Sequence, residues 1–174
     1  MISTLVVTTP AAVDAPRRAS AFLRTLAALV PATIEGVVRD VTLVQVGQGS
    51  LAHIADEAGC QMVEEGNFPA ALARGVAGAR SSWIFVVQAG TVPSPLFGEE
   101  AARALEGSPE TGSALVLREQ PRGLLSRWFP SLAPVAGIIL PRARLAEFRC
   151  TSFADVVRRA GRSRTLPTSA FTLH

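Results

Sequence analysis

The chain has 174 residues, a formal net charge of +3 and a mean hydropathy of +0.31. A chain of that length forms one domain and removes about 70% of its unfolded surface from water, so its core needs no disulfide or metal. No apolar run approaches the roughly 20 residues of a membrane span. The opening Met1-Ile2-Ser3-Thr4-Leu5 has no basic flank, which argues against a secretory signal. Cys60 and Cys150 have no motif spacing, and His53 and His174 lie far from both in sequence, so reduced thiols in a cytoplasmic protein are expected. All 17 cationic side chains are arginine. Residues 1–117 carry 7 Arg against 11 acids, a balance of −4, and residues 118–174 carry 10 Arg against 3 acids, a balance of +7. The C-terminal part thus offers a basic surface to an anionic partner, or simply a solvated face.

In chain order, the β-branched run 3–9 predicts a first strand ended by Pro10. A helix follows, with Asp14 as cap, Pro16 in its first turn and Pro31 as its stop. Residues 41–46 predict a second strand, closed by Gly47-Gln48-Gly49-Ser50. Ser50 would cap a helix over 51–58 that ends at Gly59. A short strand over 60–64 and an Ala-rich helix over 68–80 come next. The unbroken apolar run 83–87 then predicts a strand buried on both faces, with its tip at Gln88-Ala89-Gly90. A helix over 95–105 and a strand over 113–117 continue the alternation. After the Pro- and Gly-rich stretch 118–134, the pattern predicts a strand over 136–140 and a short helix from Pro141 to Phe148. A helix over 153–160, capped by Ser152 and ended by Gly161, precedes an edge strand at 164–166 and a frayed tail. Strands alternating with helices imply a three-layer α/β/α domain with a mostly parallel sheet, whose ligands sit beyond the strands' carboxyl ends.

Several stretches, in this order along nearly the whole chain, resemble the GT-A fold of family 2 glycosyltransferases. They are Thr8-Thr9-Pro10 after the first strand; Val44 to Ser50; Asn67 with Ala73-Arg74-Gly75; Trp83 to Val87 with Pro93-Ser94-Pro95; Gly137 to Arg142; and Arg158 to Arg162 with Leu166-Pro167. The resemblance implies a nucleotide-diphosphate sugar as donor. Residues 1–117 would be the nucleotide-binding half and residues 118–170 the basic acceptor side of a single domain. It also implies binding roles for Thr8, Thr9, Pro10, Gly47, Gln48, Arg74, Gln88 and Gly90. The implied process is sugar transfer in surface polysaccharide or glycolipid synthesis.

Departures from the family pattern fall on its chemistry. The family's Asp-x-Asp holds a divalent metal through carboxylates, and Gln88 and Gly90 stand at those positions here. Gly47 and Gln48 stand where an acidic pair holds base and ribose. Around residues 149–152 the Glu-Asp pair that supplies the general base is missing, leaving Asp155 as the candidate. Metal binding is therefore expected to be weak or absent. Two readings remain open. In one, arginines such as Arg118, Arg122, Arg142 and Arg158 replace the metal, since guanidinium binds phosphate bidentately. In the other, the protein is a catalytically inactive transferase that regulates or scaffolds a partner enzyme. A nucleotidyltransferase is the lesser alternative, because no Gly-rich, Arg- or Lys-containing loop follows the first strand.

Gly47-Gln48-Gly49-Ser50 sits between a strand and a helix as a phosphate loop would, but lacks the third glycine of the dinucleotide fingerprint and the lysine of a P-loop. Arg122, Arg127, Trp128 and Phe129 combine charge with apolar bulk. They mark a membrane-facing, acceptor-lipid or protein-association patch, with a loop folded back on the core as the plainer reading. A cytoplasmic protein, peripheral to the inner membrane if that patch engages lipid, is the corresponding location. No triad, zinc site or helix-turn-helix pattern is visible, so hydrolase chemistry and nucleic-acid partners are not expected.

Overall fold

The structure, a computed structural model, describes residues 1–8, 15–47, 51–106, 113–120 and 133–172. Its strands are β1 (Ile2–Thr8), β2 (Val38–Val46), β3 (Gln61–Glu65), β4 (Trp83–Gln88), β5 (Thr91–Pro93), β6 (Ala114–Glu119), β7 (Val135–Pro141) and β8 (Ser163–Thr172). Its helices are α1 (Ala15–Ile34), α2 (Ala52–Glu57), α3 (Phe68–Gly78), α4 (Phe97–Leu105), α5 (Arg142–Ala146) and α6 (Phe153–Arg159). The eight strands form one sheet in the order β3-β2-β1-β4-β7-β6-β8-β5. Neighbours are parallel from β3 through β4 and between β6 and β8. They are antiparallel on both sides of β7 and between β8 and β5.

Side chains alternate across this sheet and feed two apolar layers, as a pleated strand requires. Along β4, Trp83, Phe85 and Val87 join Phe22 and Leu29 of α1 and Phe97 of α4. Ile84 and Val86 point the other way, to Leu72 and Val76 of α3, Leu145 of α5 and Val156 of α6. The predicted two-sided burial of residues 83–87 and the three-layer α/β/α architecture are both present. β7 packs closely on β4 because residue 137 is glycine: a Cβ there would stand 2.5 Å from the Phe85 ring.

Three expectations change. Pro31 does not stop α1, which runs on to Ile34 with the Glu35 amide donating to the Pro31 carbonyl at 2.9 Å. A proline forfeits its own bond to the carbonyl four residues back, and in the last turn the helix tolerates that loss. The segment at 164–166 is not a short edge strand. It belongs to the ten-residue β8, which lies between β6 and β5 in the sheet. The three-residue β5 escaped the sequence pattern because it is too short to alternate, and its Pro93 sits in the terminal strand, where a missing donor is tolerated. Ser152 and Gly161 bound α6 as predicted, with the Ser152 hydroxyl accepting from the Asp155 amide and Gly161 at φ 61. The capping residues Asp14 and Ser50 lie outside the described residues.

Candidate functional site

The parallel strands β1, β2, β3 and β4 finish at one edge of the sheet. Thr8 aligns with Gln45, Val7 with Gln88, and Val46 with Glu65. β6 points the same way, because two antiparallel steps through β7 restore the direction of β4. Arg118 and Glu119 therefore end at this edge too. The Arg118 Nη1 donates to the Ala133 carbonyl at 2.6 Å, and the Glu119 amide donates to Pro134 at 2.8 Å. Those two bonds tie down the chain on both sides of residues 121–132.

Of the candidate nucleotide residues, Thr8, Gly47, Arg74, Gln88 and Gly90 can be placed. Thr8 is buried at the end of β1, and Gln88 is exposed at the end of β4. Gly47, at φ 82, donates its amide to the Glu65 carbonyl at 2.9 Å, which joins the ends of β2 and β3. Arg74 reaches from α3 to Glu65 at 2.7 Å, so its charge is already matched by a carboxylate at the same edge. Thr9, Pro10, Gln48, Arg122, Arg127, Trp128 and Phe129 lie outside the described residues.

Gly90 is the most constrained of these positions. Its φ is 94, a region that L side chains rarely adopt. Its amide is shared between the Ala21 carbonyl and the Thr25 hydroxyl of α1, each at 3.0 Å. The preceding amide, of Ala89, donates to Val7. The tip of β4 is thus sewn to β1 on one side and to α1 on the other.

Sequence reasoning passed over Gln45, which proves central to the loop after β2. It is fully buried; its Nε2 donates to the Gly47 carbonyl and its Oε1 accepts from the Leu51 amide, both at 3.3 Å. One carboxamide thereby holds both ends of the stretch 47–51. A glutamine among the apolar residues Leu43, Val44 and Val46 was the available signal, since a buried polar side chain must find partners.

Asp155 lies at the start of α6, buried, with all its described hydrogen bonds to residues 151–159. Its Oδ2 accepts from the Thr151 amide at 3.1 Å, and its Oδ1 accepts from Arg158 at 2.5 Å and Arg159 at 3.4 Å. The Thr151 amide, then the Arg158 guanidinium, holds this carboxyl below its ordinary value, with burial opposing. Of the arginines considered as metal substitutes, Arg158 is thus occupied by Asp155. Arg142 donates to the Ala79 and Ala77 carbonyls that close α3, beside the start of β4, where Pro141 aligns with Trp83. Of that set, among the described residues, Arg118 is the one placed at the carboxyl edge, and its Nε is buried without a hydrogen-bond partner.

A hard divalent cation requires several oxygen ligands with carboxylates among them. The tip of β4 offers one amide side chain and a glycine, and no group of three or more potential ligands occurs among the described residues. These residues do not fit the metal of the family pattern. What the edge supplies instead is a buried hydroxyl, amide side chains and the cationic Arg118, groups that hydrogen-bond a base, a ribose or a phosphate directly.

No family model matches the chain, and no curated protein matches it in sequence. Solved structures do match in shape. Glucosyl-3-phosphoglycerate synthase from Mycobacterium tuberculosis, in complex with phosphoglyceric acid, superposes with a TM-score of 0.68 at 14% identity, over 100% of this chain and 72% of its own. The same synthase has also been solved with Mn2+, uridine diphosphate and glucosyl-3-phosphoglycerate, and gives 0.67 over the same shares. TarS from S. aureus gives 0.64 at 15% identity, over 98% of this chain and 60% of its own. HddC from Yersinia pseudotuberculosis, complexed with GMP-PN, gives 0.63 at 10% identity over 99% and 93%. At such identities the likeness is one of fold. The strand order, the two helical layers and these superpositions together show that the chain has the GT-A-like fold of nucleotide-sugar transferases.

Proposed function

We propose that this protein binds a nucleotide-diphosphate sugar at the carboxyl edge of β1, β2 and β4 and does so without a divalent metal. It would act as a glycosyltransferase-like component of surface polysaccharide or glycolipid synthesis. The observation that carries this reading is Gly90. By the resemblance it stands where the family carries a metal-binding acid, and its backbone conformation is suited to glycine, with its amide bonded to α1. On this reading the fold of a donor site is kept, with Gln88 and Gly90 in place of its carboxylates. Thr8 and Gln88 would contact the nucleoside, and Gly47, Gln48, Thr9 and Pro10 would line it. Arg118 would face the phosphates, with Arg74 tying α3 to β3 beside them. The bound neighbours support the choice of ligand class, because one holds uridine diphosphate and another GMP-PN.

Transfer would need a base for the acceptor hydroxyl, and Asp155 is the candidate. A second reading, in which the domain binds a donor but transfers nothing and serves a partner enzyme, draws on the same residue. A carboxylate saturated by Thr151, Arg158 and Arg159 has a lowered proton affinity and makes a poor base. The patch Arg122, Arg127, Trp128 and Phe129 would then meet the partner, the membrane or a polyprenyl-linked acceptor. Thermal-shift screening against nucleotide diphosphates and their sugars, followed by a donor-hydrolysis assay on each stabilising ligand, tests both. Stabilisation with hydrolysis supports transfer, stabilisation without hydrolysis supports the second reading, and no stabilisation by any donor contradicts the binding site itself.

A further inference from the structure

The end of β6 is pinned from both neighbouring strands. The Glu119 amide donates to the Pro134 carbonyl ahead of β7 at 2.8 Å, and the Gln120 amide donates to the Ala170 carbonyl of β8 at 2.7 Å. Both pairings are irregular at this level. The register of β6 shifts against β7 between Leu117 and Arg118, and against β8 between Val116 and Arg118. Irregularities of this kind gather beside active sites, where they re-aim a side chain. Glu119 is half-buried, and its carboxylate makes no hydrogen bond or ion pair among the described residues. Asp155, by contrast, is saturated by Thr151, Arg158 and Arg159.

Register places Glu119 relative to the donor edge. Val87 of β4, Gly137 of β7 and Leu117 of β6 lie in one row across the sheet. Two strand spacings, about 10 Å, therefore separate β4 from β6. Glu119 stands two residues beyond that row, as Ala89 does at the tip of β4. Val87 and Leu117 face the α1 layer, whereas Val86 and Val116 face the α3 layer. Alternation then sends Glu119 to the α1 side, and Gln88 and Arg118 to the α3 side.

We propose that Glu119 is the general base of an acceptor subsite at the end of β6, in place of Asp155. This rests on the donor-binding reading above. With the donor's diphosphate on the side of Gln88 and Arg118, an acceptor hydroxyl enters from the side of α1. Its oxygen forms a bond to the anomeric carbon of the sugar as the bond from that carbon to the phosphate oxygen breaks. The hydroxyl proton passes to the Glu119 carboxylate, and the nucleotide diphosphate leaves with the bonding electron pair. The acceptor class is an alcohol, and water serves where no alcohol is bound.

Donor hydrolysis, with water as acceptor, tests this on a panel of uridine and guanosine diphosphate sugars. Titration calorimetry gives the affinity and nucleotide release gives the rate. Glu119→Gln should bind the tightest donor with the wild-type dissociation constant and hydrolyse it at least about 100-fold more slowly, the scale of one general base. Glu119→Asp keeps a carboxylate and should retain more of the rate. A Glu119→Gln protein as fast as wild type overturns the proposal. So does a loss of affinity that matches the loss of rate, which would make Glu119 a donor-binding residue. A wild type that binds a donor and releases nothing also overturns it, while leaving the donor site standing. A wild type that binds no donor contradicts the donor site itself and takes this subsite with it.

Discussion

The amide of Gly90 donates to the hydroxyl of Thr25 at 3.0 Å, across 65 residues of sequence. That bond and its companion to the Ala21 carbonyl turn the end of β4 toward α1 and hold residue 90 at φ 94. Restoring an acid at this position is therefore more than a change of side chain. Gly90→Asp is expected to lower stability by about 1–3 kcal/mol through backbone strain. It should bring no gain in Mn2+ affinity. The exposed Gln88→Asp should change stability by less than about 0.5 kcal/mol. Urea unfolding and Mn2+ titration of both variants check this, and a Gly90→Asp protein as stable as wild type would remove the argument from backbone geometry.

Gln45→Leu keeps the bulk of the side chain but deprives the Gly47 carbonyl and the Leu51 amide of their shared partner. A loss of about 1–3 kcal/mol is expected, as for other buried polar groups left unpaired. Amide exchange is the sharper readout. The Leu51 amide should exchange faster while amides in β1 and β4 keep their protection, and an unchanged Leu51 would mean that the loop holds its shape without Gln45.

Asp155 has a folded-state carboxyl held below its ordinary value of 3.8 by the Thr151 amide and then by Arg158. A depressed carboxyl contributes stability that is full above its unfolded value and is lost as pH falls through the folded one. Stability should thus fall in acid below the ordinary carboxylate range. Asp155→Asn should be less stable near neutrality and show a shallower decline there. Chemical denaturation at a series of pH values measures the slope, and parallel curves for the two proteins would contradict the assignment.

Two arginines separate support of the fold from ligand binding. Arg142 closes the end of α3 through the Ala77 and Ala79 carbonyls, whereas Arg118 stands at the carboxyl edge, its Nη1 donating to the Ala133 carbonyl and its buried Nε without a partner. Arg142→Ala should lower the unfolding midpoint and leave donor affinity unchanged. Arg118→Ala should weaken donor affinity about tenfold, the scale of one charge-assisted contact. Loss of affinity in the Arg142 variant alone would reverse the assignment.

The alternation of strands and helices, the two-sided burial of residues 83–87 and the caps at Ser152 and Gly161 were legible in the sequence, because each rests on local pattern. β5 and the full length of β8 were not, since both arise from long-range pairing that leaves little periodicity in either segment. That the tip of β4 carries Gln88 and Gly90 and no carboxylate could be read from residue type alone. The roles of the arginines could not: Arg142 and Arg158 look alike in sequence and differ only in the carbonyl or carboxylate that the fold brings to them. Gln45 was hidden for a related reason, as its partners Gly47 and Leu51 come within reach only once the loop has turned.

Calorimetric titration of the full chain with nucleotide-diphosphate sugars, run with and without Mn2+, tests the central claim most directly. Binding with the same dissociation constant in both conditions is the predicted result. Binding that appears or tightens substantially only when Mn2+ is present would contradict it, and would require metal ligands other than Gln88 and Gly90.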